Sequence, residues 1–99
     1  MIKSFKELIE LAQSKGTKKI AVAVAEDHEV LEAVKLAMDL KLVEPILVGD
    51  EDKIKEIGKE IDFNFENSKI VDEKDSVLAA REATRLVSSG ECDILMKGL

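Results

Sequence analysis

Residues 18–25 restrict the possible folds strongly, because after two lysines they alternate large and small apolar side chains without a polar face. The stretch reads Lys-Lys-Ile-Ala-Val-Ala-Val-Ala. In a strand, the Ile and Val side chains would lie on one side and the three alanines on the other. A strand that is apolar on both sides must be covered on both sides, which is typical of a parallel sheet between two layers of helices.

Three further short apolar runs begin near residues 46, 70 and 94, at intervals of 24 to 26 residues. One amphipathic helical pattern fills each gap, and this spacing suits parallel β–α–β crossovers, which are nearly always right-handed. The sequence therefore predicts an α/β fold, a three-layer α/β/α sandwich with a mostly parallel sheet of about four strands. Residues 1–99 are expected to form a single domain. The pattern does not predict the strand order.

The predicted elements have recognisable caps. Ser4 is expected to cap a first helix that Gly16 ends, and Asp27 to cap the second helix. Phe63 and Phe65 are expected to anchor the loop 62–68. The predicted strands are 19–25, 46–48 (opened by Pro45), 70–71 and 93–96. The apolar positions of the four predicted helices are Phe5, Leu8, Ile9 and Ala12; Val30, Leu31, Val34, Ala37 and Met38; Ile54, Ile57, Gly58 and Ile61; and Ala79, Ala80, Ala83, Leu86 and Val87.

The composition argues against nucleic-acid and membrane partners. The chain has a formal charge of −6 and only three aromatic residues, all Phe, so it offers neither a basic stripe nor stacking platforms for bases. Its longest apolar run is far shorter than the roughly 20 residues that span a bilayer, and no secretory signal precedes the first helical pattern. The single cysteine, Cys92, favours a cytoplasmic location and is expected to be a buried, unreactive thiol.

Acidic residues follow the first two predicted strands, at Glu26-Asp27 and at 50–52. Ligands of open α/β sheets bind at such carboxyl-end turns, and helix N-termini attract anions. Carboxylates at these positions favour helix capping over ligand binding. His28 has no second His, Cys or Ser partner in an obvious motif and is expected to be a surface residue. No metal site and no catalytic residue are predicted.

Lys97 is the strongest candidate for contact with a substrate. It comes just after the fourth predicted strand, where a cation could meet an anionic ligand, although a solvated lysine at a strand end is the alternative. Gly98 beside it permits a close backbone approach. The two arginines, Arg81 and Arg85, lie one turn apart on the fourth predicted helix and are expected on its solvated face.

A receiver-like phospho-acceptor module of the flavodoxin type is a second hypothesis. Glu26 and Asp27 after the first strand, Asp72 after the third and the late Lys97 loosely match its acidic cluster and lysine. The match is imperfect because such modules begin with a strand and have five βα units. A non-catalytic α/β interaction domain that pairs through a strand edge is a third hypothesis.

Four segments together resemble the phosphate acyltransferase family, and its phosphate butyryltransferase branch more than the phosphate acetyltransferases. They are Lys-Ile-Ala-Val-Ala-Val-Ala-Glu-Asp at 19–27, Val-Leu-Glu-Ala-Val at 30–34, Glu-Pro-Ile-Leu-Val-Gly-Asp at 44–50 and Asp-Ile-Leu-Met-Lys-Gly-Leu at 93–99. The resemblance covers essentially the whole chain, with matching order and spacing.

The resemblance implies reversible transfer of an acyl group, butyryl in this branch, between coenzyme A and inorganic phosphate, with acyl-CoA and phosphate as substrates and no covalently bound cofactor. It implies two α/β domains of the isocitrate/isopropylmalate dehydrogenase-like kind, a site in the cleft between them, and homo-oligomers. Lys97 and Gly98 are the only positions carried over as candidate substrate contacts.

The predicted fourth strand would leave an exposed sheet edge unless it lies inside the sheet or pairs with another segment. Together with the resemblance, this leads us to expect that the chain is the N-terminal portion of a longer two-domain enzyme. We expect the isolated 99 residues to lack acyltransferase activity.

Overall fold

The computed structural model describes residues 6, 7, 9, 10, 13 and 16–97. The described residues before Gly16 are helical, while the predicted cap Ser4 and the positions Phe5, Leu8 and Ala12 lie outside the described residues. The elements that follow are β1 (Lys18–Ala23), α1 (His28–Asp39), β2 (Val43–Gly49), α2 (Glu51–Glu60), β3 (Lys69–Asp72), α3 (Ser76–Ser88) and β4 (Ile94–Lys97).

The four strands form one parallel sheet in the order β3-β2-β1-β4. β1 is central, as its apolar residues on both faces require. Helices α1 and α2 cover one face, where Ile20 and Val22 of β1 pack, and α3 covers the other face, where Ala21 and Ala23 pack. The predicted α/β fold with three layers is confirmed.

The alternation of large and small residues in β1 matches the helices that pack on its two faces. On one face, Ile20 and Val22 pack in a core with the larger side chains of α1, including Leu31 and Val34. On the other face, alanines meet alanines: Ala21 and Ala23 share a core with Ala79 and Ala83 of α3. Since neither partner has a long side chain, α3 can lie close to the central strand. The predicted apolar positions of these helices are confirmed in the two cores except for Ala80, which lines a surface groove.

The chain reverses direction across the sheet between β1 and β4. From β1 to β3 it steps one way with α1 and α2 on one face, and it then returns past β1 to β4 by way of α3 on the opposite face. This change of face is what crossovers of a single hand require when the direction of stepping reverses. The crevice between the carboxyl ends of β1 and β4 is therefore a topological switch point, the usual place for a ligand in an open α/β sheet.

The predicted bounds of all four strands differ from those observed, and the differences in β1, β2 and β4 affect the argument. β1 ends at Ala23 because Val24 has φ 53°, which takes the backbone out of the sheet two residues earlier than predicted. β2 begins at Val43, before Pro45; its pairing with β3 starts only at Ile46, so a proline is tolerated there. β4 runs from Ile94 through Lys97, which pairs with Ala23.

The predicted cap at Asp27 and the predicted anchors of the loop are confirmed, while Ser4 lies outside the described residues. Asp27 accepts a hydrogen bond from the Val30 N–H at 3.0 Å and so caps α1. Gly90, with φ 85°, follows α3 as a left-handed residue. Phe63 is buried and stacks at a tilt on the partly buried Phe65, with ring centroids 4.7 Å apart. The loop between α2 and β3 is thus held against the core.

Candidate functional site at the carboxyl edge of the sheet

A groove of about 540 Å³ opens beside the switch point. It lies between the turn after β1, the last residue of β4 and the exposed side of α3. Its lining consists of Val24, Ser76, Val77, Ala80, Arg81, Thr84 and Lys97. Two cationic side chains, two hydroxyl groups and three apolar side chains thus share one surface, a combination that suits an anionic ligand with an apolar part.

Of the two predicted substrate contacts, Lys97 is among the described residues and Gly98 lies outside them. The prediction that Lys97 follows the strand was wrong, because it is the last residue of β4 and pairs with Ala23 in parallel register. Ala23 packs on the α3 face of the sheet, and register partners in adjacent strands share a face. Lys97 therefore extends to the α3 side, where it is exposed and lines the groove.

Arg81 is a groove residue that the sequence pattern did not single out. The prediction of a solvated helix face is confirmed, since both Arg81 and Arg85 are exposed. Their environments differ, because only Arg81 lines the groove with Lys97. Helical periodicity places the two arginines on the same side of α3. It does not predict which strand end lies next to that side of the helix.

Glu26 has a different role from the predicted capping of its own helix. Its Oε2 accepts a hydrogen bond from the Asp50 N–H at 3.1 Å, so the side chain connects the turn after β1 to the turn after β2. Its Oε1 is buried without a hydrogen-bond partner among the described residues. A carboxylate committed to the neighbouring turn in this way is not available to a ligand in the groove.

The strand order excludes the receiver-like arrangement. Asp72 ends β3 and Lys97 ends β4, at opposite edges of the sheet and three strand spacings of about 4.8 Å apart. Asp72 instead accepts a hydrogen bond from the Glu51 N–H at 3.0 Å, and Lys74 approaches its carboxylate to 3.3 Å. These bonds lower the pKa of Asp72, with the backbone hydrogen bond as the largest cause. Asp72 thus holds the start of α2 and does not meet Lys97.

His28 and Cys92 both have the environments that the sequence predicted. His28 is exposed at the start of α1, with its two ring nitrogens 3.4 Å from Glu32 and from Glu60. Cys92 is buried, and its burial, followed by the nearby carboxylates of Asp93 and Glu91, raises the pKa of the thiol. The thiolate is the reactive form of cysteine, so Cys92 is a poor nucleophile.

Within residues 16–97 and the described helical positions before them, no group of three or more His, Cys, Asp or Glu side chains is arranged to hold a metal ion. Over the same residues, no helix has the length and apolar character needed to cross a membrane.

The fold and the groove define a class: a parallel α/β/α domain with a cationic crevice at the sheet's switch point. The chain belongs to the family described as "Phosphate acetyl/butaryl transferase", whose model matches residues 4–91.

Relatives of known name support this assignment. The chain is 48% identical over all 99 residues to a phosphate butyryltransferase of Clostridium beijerinckii and covers 33% of that protein. It is 45% identical over 92 residues to a phosphate acetyltransferase of Thermotoga maritima, with 93% of the chain and 31% of the relative covered. The chain thus spans about a third of the length of the curated relatives it matches.

A solved structure has a similar fold. The EutD phosphotransacetylase from Staphylococcus aureus superposes with a TM-score of 0.70 at 20% sequence identity, over 95% of this chain and 38% of that one. The arrangement of strands and helices described above is therefore shared with part of a larger protein.

Proposed function

We propose that the chain is the N-terminal portion of a phosphate acyltransferase that transfers an acyl group, butyryl in particular, between coenzyme A and inorganic phosphate. The family membership carries this proposal. The butyryl preference is supported by 48% identity over the whole chain to phosphate butyryltransferases of two Clostridium species, although a phosphate acetyltransferase is 45% identical.

The reaction needs few protein groups. A phosphate oxygen attacks the thioester carbonyl carbon; a C–O bond forms, the C–S bond breaks, and the thiolate of coenzyme A leaves with the electron pair and gains a proton. The enzyme has to hold a phosphate dianion and stabilise the charge that develops in the transition state. A cation at the carboxyl edge of the sheet suits both tasks, and we assign this role of substrate contact to Lys97, with Gly98 beside it.

The complete site requires more than these 99 residues. The proposed enzyme has two α/β domains, of which residues 1–99 are part of the first, and its site lies in the cleft between them. The chain's coverage of about a third of its relatives supports this division. Coenzyme A and phosphate are its substrates, no cofactor is covalently bound, and its location is the cytoplasm.

The isolated 99-residue chain is expected to show no phosphate-dependent release of thiol from butyryl-CoA. A fusion in which this chain replaces the matching third of the Clostridium beijerinckii phosphate butyryltransferase is expected to be active. Thiol release with and without phosphate measures both. An inactive but folded fusion, or robust turnover by the isolated chain, would contradict the proposal.

In that fusion, Lys97→Ala is expected to raise the KM for phosphate or coenzyme A about tenfold, since one charge-assisted contact contributes about 1.5 kcal/mol. Lys69→Ala is the matched control, because Lys69 is an exposed lysine at the start of β3, on the opposite edge of the sheet. Equal kinetics for the Lys97 and Lys69 variants would reduce Lys97 to a surface residue.

Homo-oligomer formation is a further part of the proposal. Among the described residues, β4 and β3 form the two edges of the sheet, and an uncovered edge strand favours pairing with another chain. Sedimentation of the isolated chain also tests the interaction-domain hypothesis. Self-association without acyltransferase activity in the fusion would favour that hypothesis over the enzyme.

A further inference from the structure

We infer that Arg81 is a second ligand-binding cation and that Arg81 and Lys97 together bind a phosphoryl group in the groove. The proposed function identifies which phosphorylated ligand would occupy the groove, and the inference rests on it for that identity alone. The preference for a phosphoryl group itself follows from the side chains of the groove.

Arg81 has no ion-pair or hydrogen-bond partner among the described residues, unlike the arginine one turn further along α3. The guanidinium of Arg85 lies 2.6 Å from the Glu82 carboxylate and 3.7 Å from that of Glu91. The Glu82 carboxylate is the largest cause that raises the pKa of Arg85, and it occupies the donors that an anion would need. Arg81 keeps all five of its donors for a ligand.

No carboxylate belongs to the part of the groove lining that the structure describes, although the chain as a whole has a net charge of −6. Three other grooves lie around the amino ends of the strands, and each has at least one glutamate in its lining. Glu44 lines all three of these grooves, and both Lys19 and Glu91 line two of them. A polyanion would meet uncompensated positive charge only beside Arg81 and Lys97 among these four grooves.

Two elements hold the cations toward the same space. Lys97 extends to the α3 side of the sheet, and Arg81 lies in the second turn of α3, whose alanines pack on β1 beside β4. Ser76, in the first turn of α3, adds a hydroxyl with no hydrogen-bond partner among the described residues. The Thr84 hydroxyl donates to the Ala80 carbonyl at 2.9 Å and keeps its acceptor capacity. Arginine and lysine with a hydroxyl donor are the usual partners of a phosphoryl group.

Two sources of a phosphoryl group exist in the proposed reaction: inorganic phosphate and the phosphates of coenzyme A. The groove volume of about 540 Å³ is in the range of small-molecule sites and exceeds the space of a single small ion. Val24, Val77 and Ala80 add an apolar wall that inorganic phosphate would not use. These features favour coenzyme A.

The test is an NMR titration of the uniformly labelled 99-residue chain with inorganic phosphate, coenzyme A and dephospho-coenzyme A in separate arms. Chemical-shift changes are expected at Val24, Arg81, Thr84 and Lys97 with coenzyme A at millimolar concentration or below. Binding is expected to weaken as salt rises, because exposed charges are screened. A weaker effect of dephospho-coenzyme A would assign the 3′-phosphate to the groove, and an equal effect would assign the diphosphate. Saturation by inorganic phosphate alone would assign the groove to that substrate.

Arg81→Gln is expected to weaken binding about tenfold, with partial recovery in Arg81→Lys. Arg85→Gln removes the same charge from the same helix and is expected to leave binding unchanged. Equal effects of Arg81→Gln and Arg85→Gln, shifts confined to other surfaces, or no binding in any arm would overturn the inference.

The outcomes for the two proposals are separable. An active fusion protein with no phosphoryl binding at the groove would overturn the inference and keep the proposed function. Binding at the groove in a chain whose fusion protein is folded but inactive would overturn the proposed function and keep the inference.

Discussion

Glu26 and Gly49 fit together at the carboxyl edge of the sheet. The Glu26 carboxylate crosses from the turn after β1 to the Asp50 N–H, and its buried Oε1 lies directly against the Gly49 backbone. A Cβ atom at Gly49 would overlap that oxygen and lie 3.0 Å from the backbone nitrogen of Ala25. Glycine is required here by the close approach, since its φ is not in the left-handed region.

Gly49→Ala is expected to lower the free energy of unfolding by about 1–3 kcal/mol, because the added methyl group forces the Glu26 side chain or the turn to move. Urea denaturation of both proteins measures the difference. In a Glu26→Ala background, where the overlapping oxygen is absent, the same substitution is expected to cost less. An equal cost in both backgrounds would show that Glu26 is not the group displaced.

Individual residues were predictable where the signal is local. The cap at Asp27, the ring anchors Phe63 and Phe65 and the buried Cys92 depend on a few neighbouring positions in the chain. The roles of Glu26 and Arg81 depend on which strand ends lie side by side, and sequence spacing does not contain that information. Of the two cations that line the groove, Lys97 was singled out from its strand end and Arg81 was not, and substrate contact by Lys97 stays a prediction.

At the scale of elements, α3 connects the core to the groove. Its buried alanines contact β1, while Arg81 and Thr84 line the groove. The Asp75 carboxylate caps the helix by accepting from the Val77 N–H at 2.9 Å and the Leu78 N–H at 3.1 Å. These bonds satisfy two of the free donors at the start of the helix and fix its first turn.

Asp75→Ala is expected to lower the free energy of unfolding by about 1 kcal/mol, a typical cost for loss of an N-cap. Thermal or urea unfolding monitored by circular dichroism measures it. Asp39→Ala removes an exposed aspartate in the last turn of α1, where a negative charge opposes the helix dipole, and is expected to have no cost. A result in which both variants lose equal stability would attribute the effect to net charge and not to capping.

The existence and type of each described element followed from apolar periodicity, whereas some boundaries did not. Pro45 suggested the start of a strand, but β2 passes through it because its pairing with β3 begins one residue later. Val24 continued the apolar alternation, but its left-handed backbone ends the strand. Strand pairing decided the boundary at Pro45 and backbone conformation decided it at Val24, and the apolar pattern of the sequence contains neither.

At the scale of the whole molecule, the class of the fold was readable from the sequence and its topology was not. An apolar strand covered on both faces and regular β–α spacing implied three layers. The same pattern is compatible with several strand orders, because each crossover can step either way across the sheet. The order β3-β2-β1-β4 creates the switch point, and with it the place where the groove forms.

The central position of β1 also has a consequence for how the protein folds and opens. The pairing of β1 with β2 joins segments about 25 residues apart in sequence. The hydrogen bond from the Lys19 N–H to the carboxylate of Asp93, just before β4, joins residues that are 74 positions apart. Closing the longer loop costs more chain entropy before any contact forms. The β1–β4 ladder is also shorter, since it covers Ile20–Ala23 and not Lys18–Ala23.

Amide protons bonded between β1 and β4 are therefore expected to exchange with solvent faster than those bonded between β1 and β2, through an opening that releases β4 alone. Hydrogen exchange followed by NMR in mild urea distinguishes such a local opening from global unfolding. Uniform exchange across both ladders would show a single cooperative unit. If β4 opens first, Lys97 leaves the sheet with it. The groove is then complete only while β4 is paired with β1, so the stability of this pairing sets the fraction of molecules that have the groove.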